Sequence, residues 1–102
     1  MNQDWGISQI IDRNGKHYVE TWGDICRDNV DGFCHALMCL PLGVVLGMSD
    51  LEIDDGPTLA CIVSALRKIG PSSLVEAPRM LAHTLYKINA LKGIHLDNPR
   101  SY

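Results

Sequence analysis

Four cysteines, Cys26, Cys34, Cys39 and Cys61, with the histidines His35 and His83, are the residues of this chain whose types lend themselves to metal binding or nucleophilic chemistry. On a helix, His35 and Cys39 stand one turn apart on the same face. Two ligands so placed can grip one zinc ion, and Cys26, Cys61 or His83 could complete the tetrahedron. A structural zinc site ordinarily carries a close pair such as Cys-x-x-Cys, however, and these cysteines are more widely spaced. Cys26, His35, Cys39 and Cys61 are therefore weak metal candidates set against packed core thiols, and no cofactor is expected.

A thiol nucleophile meets a similar objection. Adjacent residues on a helix point about 100° apart, so Cys34 and His35 cannot share the hydrogen bond that activates a thiolate. Asp31, His35 and Cys39 do fall at four-residue spacing, as an acid–base–thiol relay would, but no Gly-rich oxyanion loop or further orienting group accompanies them. An ordinary Asp31–His35 pair on a solvated strip explains the spacing, and no enzymatic activity is expected. Gly43-Val44-Val45-Leu46-Gly47 lacks both the Lys-Ser/Thr of a phosphate-binding loop and the third glycine of a dinucleotide fingerprint.

The carboxylates carry a different message. Asp50, Glu52, Asp54 and Asp55 put four acids into six consecutive residues, and Asp24, Asp28 and Asp31 form a second group. The net charge is -3, and no window holds the Lys/Arg stripe that phosphate-backbone binding needs, so direct nucleic-acid binding is not expected. Acidic groups of this kind suit a basic protein surface, or imitate a row of phosphates. Asp24 and Asp28 are expected in the first turns of a helix, where the dipole accounts for them, leaving Asp50, Glu52, Asp54 and Asp55 as the expected partner-binding epitope.

The elements that must position these residues are read from periodicity. Asn14-Gly15 supplies the positive φ angles of a tight turn and predicts a β-hairpin with strands over 7–11 and 16–22, the face bearing Tyr18 and Trp22 packing inward. From Asp24 the period turns helical. Ile25, Phe33 and Leu37, with Cys26, Val30, Cys34 and Met38 beside them, predict a helix over 24–40 that ends before Pro41. Residues 33–48 form an apolar, cysteine-bearing run with no charge apart from titratable His35. The 42–48 part fits a buried strand or a short buried helix, and helix is the expectation, because a central strand would need partners that only the hairpin supplies.

Residues 49–55 read as a polar loop with a short extended piece at Leu51 and Ile53. Pro57 opens a helix whose buried face is Leu59, Ile62, Val63, Leu66 and Ile69 and which closes at Gly70-Pro71. Residues 72–77 read as a turn, followed by a last helix over 78–92 with Leu81, Leu85, Ile88 and Leu91 inward and Gly93 as its cap. Residues 95–102 read as a loosely held tail. The expected architecture is a single 1–102 domain of α+β class, mostly helical: an N-terminal hairpin followed by three to four packed helices.

At 102 residues with 46% hydrophobic and 21% charged composition, the chain is long enough to bury one core. No basic, apolar leader pattern opens the sequence and no apolar run reaches the roughly 20 residues of a membrane span, so a cytoplasmic protein with no membrane partner and free thiols is expected. By elimination the function expected is non-enzymatic protein binding. Size, mild acidity and the lack of catalytic motifs are typical of phage and mobile-element inhibitors of host defence complexes, anti-CRISPR proteins among them. The alternatives are a metal- or thiol-dependent regulator using Cys26, His35, Cys39 and Cys61, and a homo-oligomeric assembly protein, a homodimer joined through the 40–48 segment with Leu40 and Met48 at its ends.

Overall fold

The computed structural model describes residues 5–11 and 15–98. Its elements run β1 (Trp5–Ile11), β2 (His17–Ile25), α1 (Val30–Met38), β3 (Val45–Ile53), α2 (Gly56–Ile69), β4 (Ser73–Val75), α3 (Arg79–Lys87) and β5 (His95–Asp97). The strands form one sheet in the order β1-β2-β3-β4-β5. β1 pairs antiparallel with β2, and every later pairing is parallel. The fold is thus of α/β type, a mixed five-stranded sheet with three helices, which corrects the expected hairpin with three to four helices.

The expected hairpin is present, although its Asp12, Arg13 and Asn14 turn residues lie outside the described residues. Its inner face is the reverse of the one expected. Val19, Thr21 and Ile25 are buried, while Tyr18 and Trp22 are exposed. β2 also continues to Ile25, through the position where helix was expected. The Asn29 side chain accounts for the late helix start: its Oδ1 accepts from the Cys26 N–H at 2.8 Å and its Nδ2 donates to the Asp24 carbonyl at 2.9 Å. These bonds hold a turn between strand and helix, as Asn side chains commonly do. Asp24 therefore stands in a strand and Asp28 in the turn, neither in the helical turns expected.

The 42–48 segment is not helical. Val45 begins the nine-residue β3, which runs on through the stretch expected to be loop. A strand buried on both faces shows no alternation, which is why Val45, Leu46 and Met48 resemble a helix in sequence. Opposite β2, this strand carries a bulge. Glu20 pairs with Gly47 but Trp22 pairs with Asp50, so β3 spends one extra residue and leaves Ser49 and Asp50 consecutively exposed. Thr21 ties the irregularity down by donating its hydroxyl to the Gly47 carbonyl at 2.8 Å.

α2 forms where expected. Asp55 caps it by accepting from the Thr58 N–H at 2.9 Å, and Gly70 closes it at φ 53 with its N–H on the Leu66 carbonyl. The expected 72–77 turn contains β4, and the expected tail contains β5. α3 stops at Lys87, well short of Lys92, leaving Ile88 46% exposed.

Each of the three βαβ units moves one strand further along the sheet in the same direction. Crossovers of this kind are right-handed, so α1, α2 and α3 lie side by side on one face. α1 packs on α2, and α2 on α3. Beneath them Phe33, Leu37, Leu46, Met48, Ile62, Leu66, Leu74, Leu81 and Leu85 are fully buried. At the β1 end, Trp5 meets Phe33 of α1 edge to face at 5.6 Å between centroids.

Candidate functional site

With all helices on one side, no described helix covers the other face of the sheet, although Val45 and Gly47 on that face are buried. In-register partners project to the same face, so its content follows from the pairing. One row crosses Ile10, Tyr18, Val45, Ser73 and His95, and the next crosses Ser8, Glu20, Gly47, Val75 and Asp97. Beyond the bulge lie Gly6, Trp22 and Asp50, then Asp24 beside Glu52.

Two glycines shape this surface. Trp22 folds its indole over Gly6, where any Cβ would collide with the ring, and so lies flat across the β1–β2 pair while remaining 40% exposed. Glu20 leans over Gly47, where a Cβ would come within 2.5 Å of its Oε1, which places a carboxylate in the middle of the sheet. Lys16 sits with its Nζ 5.6 Å from the centroid of the Tyr18 ring, within cation–π range. The result is an aromatic and aliphatic strip of Ile10, Tyr18 and Trp22 with Glu20, Asp24, Asp50 and Glu52 beside it, and Asp97 on the same face three strands away on β5.

These carboxylates differ from those at the helix starts. A helix dipole explains an acid beside its N-terminus, whereas this group lies on the sheet face opposite the helices. Asp24 and Glu52 stand opposite each other on neighbouring strands, about 4.8 Å apart.

Of the four residues expected to form the epitope, the structure divides two from two. Asp50 and Glu52 stand on the sheet face. Asp54 and Asp55 belong to the β3–α2 connection, and the Asp55 carboxylate is engaged as the α2 cap. The Thr58 hydroxyl beside it, the Thr58 N–H bonded to it, and the Arg27 guanidinium 3.9 Å away hold this carboxyl below its usual range. Glu20, Trp22 and Asp97 were not among the expected site residues. The signal for the first two was present in the alternation Tyr18, Glu20, Trp22, Asp24, whose polar and aromatic members suit an exposed face better than a core.

The thiols do not assemble a metal centre. Among the described residues no three His, Cys, Asp or Glu side chains converge to hold an ion. Cys34 and Cys61 face one groove of about 320 Å³ between α1 and α2, shared with Asp31, His35, Met38 and Lys68. Cys26 and Cys39 stand apart from it, half-buried and exposed respectively. Burial, with Cys61 and Asp31 nearby, pushes the Cys34 thiol up to about 11, so it is protonated at neutral pH and a poor nucleophile. The 40–48 segment is core: Leu40, Val44, Val45, Leu46 and Met48 are buried, and Leu42 is its exposed apolar side chain. No helix among the described residues is long and apolar enough to cross a membrane. No family model matches the chain, and no curated protein matches its sequence.

Proposed function

We propose that the protein is a non-catalytic binding module that presents its uncovered sheet face to a partner protein with a basic surface. The observation that carries this reading is the coincidence, on the face the helices leave open, of five carboxylates with the exposed Trp22 and Tyr18. An aromatic strip supplies contact area at low entropic cost, and carboxylates that outnumber the Lys16 ammonium over Tyr18 supply steering and register. Basic channels that bind nucleic acid are surfaces of this kind, and a row of carboxylates can occupy them in place of phosphates. The reading therefore extends to inhibitors of host defence complexes such as those made by phages and mobile elements.

The test compares binding to proteins captured from the source cells by the parent, by a sheet-face variant (Glu20→Gln, Asp50→Asn, Asp97→Asn) and by a helix-start variant (Asp54→Asn, Asp55→Asn). Asn retains capping ability at position 55, so both variants keep the fold. The sheet-face variant should associate more slowly with the captured partner and lose much of the salt dependence, while the helix-start variant behaves as the parent. Equal loss in both variants would mean that general acidity, and not this face, drives binding.

A further inference from the structure

The two edges of the sheet differ in a way that bears on self-association. β5 is three residues long and carries His95 and Asp97, so it is both short and charged. β1 is seven residues long, reads Trp-Gly-Ile-Ser-Gln-Ile-Ile, and contains neither a charge nor a proline. Its inner edge pairs with β2 over the whole length, and among the described residues no backbone hydrogen bond reaches its outer edge. Ile10 and Ile11 are 55% and 66% exposed. Natural sheets protect their edges with lysine, proline, bulges or brevity, and β1 uses none of these among its own residues.

We infer that β1 is a self-association edge, pairing antiparallel with the β1 of a second copy about a two-fold axis to give a continuous ten-stranded sheet. An antiparallel pairing of identical strands is self-complementary, as a two-fold interface requires. A charged edge would set like charges against each other in such a pair, and the absence of charge from β1 is what permits a copy of itself to be the occupant. In the register that pairs all seven residues, Ser8 faces its own equivalent, Gly6 faces Ile10, Ile7 faces Gln9 and Trp5 faces Ile11. Gly6 lacks a side chain and is roofed by Trp22, so each Ile10 would come to rest beside the partner's Trp22. Both uncovered faces would then lie on the same side of the joined sheet. The inference stands on the edge alone and does not depend on what the face binds.

Sedimentation or light scattering of the full chain against concentration tests it, with two variants at the symmetric position. The parent mass should rise toward twice the 11.3 kDa of one chain as concentration increases. Ser8→Lys lies across from Glu20 in the intact hairpin, so it is tolerated by the monomer, yet it would place two lysines face to face in the pair. Ser8→Lys and Ser8→Asp should each remain single chains, with folding confirmed by circular dichroism, above all for Ser8→Asp, which sets a second acid opposite Glu20, and an equimolar mixture of the two folded variants should recover the double mass. A parent that stays a single chain up to about 1 mM, a Ser8→Lys variant that associates as the parent does, or a mixture that fails to associate would each overturn the inference.

Discussion

Individual side chains in this protein are set apart by which face of the sheet they occupy. Val19 and Thr21 are interior, and Glu20 between them is a surface charge, although all three share one strand. The cysteines divide by burial on the helices. Cys34 is buried with its thiol raised to about 11, whereas Cys39 and Cys61 are exposed. Alkylation of the native protein at neutral pH should therefore modify Cys39 and Cys61 well before Cys34, as peptide mass mapping against time would show. The sign of the accompanying stability effect follows from the shift. A thiol held protonated by the fold favours the folded state up to its ordinary value near 9, and that contribution is lost as pH rises from about 9 to about 11. Alkaline unfolding curves should show the loss in the parent and much less of it in Cys34→Ala. Early modification of Cys34 at neutral pH would contradict the burial assigned to α1.

At the scale of elements, the interior is built from one stripe per helix laid over one face of the sheet. Leu37, Leu66 and Leu85 lie mid-stripe on α1, α2 and α3 and are fully buried. Leu→Ala at each should cost about 2 to 5 kcal/mol, while Met80→Ala, at an exposed position of α3, should change the denaturation midpoint little. α2 was legible in the sequence because its stops are local, Pro57 at one end and Gly70 at the other, although the cap made by Asp55 was read as part of the epitope. The hairpin was legible for the same reason, through Asn14-Gly15. The parallel strands were not. β3 begins with a run buried on both faces, which erases the alternation that marks a strand, and it continues through Asp50, Glu52 and the bulge, where acids suggest a loop. β4 and β5 are three residues each, too short for any period, and exist because neighbouring strands supply their hydrogen bonds. The candidate site was half legible: Asp50 and Glu52 stood out as an acidic cluster, but joining them to Glu20, Trp22 and Asp97 requires knowing that β2, β3, β4 and β5 lie side by side.

Over the whole molecule, strand order decides what remains available for binding. Successive crossovers in one direction place every helix on one face, and the opposite face is left with a chemistry of its own. Charge is also polarised along the strands. Asp28, Asp31, Asp54, Asp55 and Glu76 stand with Arg27 and Arg79 at the end where the helices begin, while Arg67, Lys68, Lys87 and Lys92 lie at the end where α2 and α3 finish. The helix dipoles account for that polarity, and the sheet-face carboxylates are the part they leave unexplained. The central claim is therefore one of location, and amide NMR during titration with an octa-arginine peptide at low salt tests it directly. Shifts should concentrate at Glu20, Trp22 with its indole N–H, Asp50 and Asp97, and should fade as salt is added. Shifts centred on the helix starts at Asp28, Asp31, Asp54 and Asp55, with the Trp22 indole unmoved, would contradict the account.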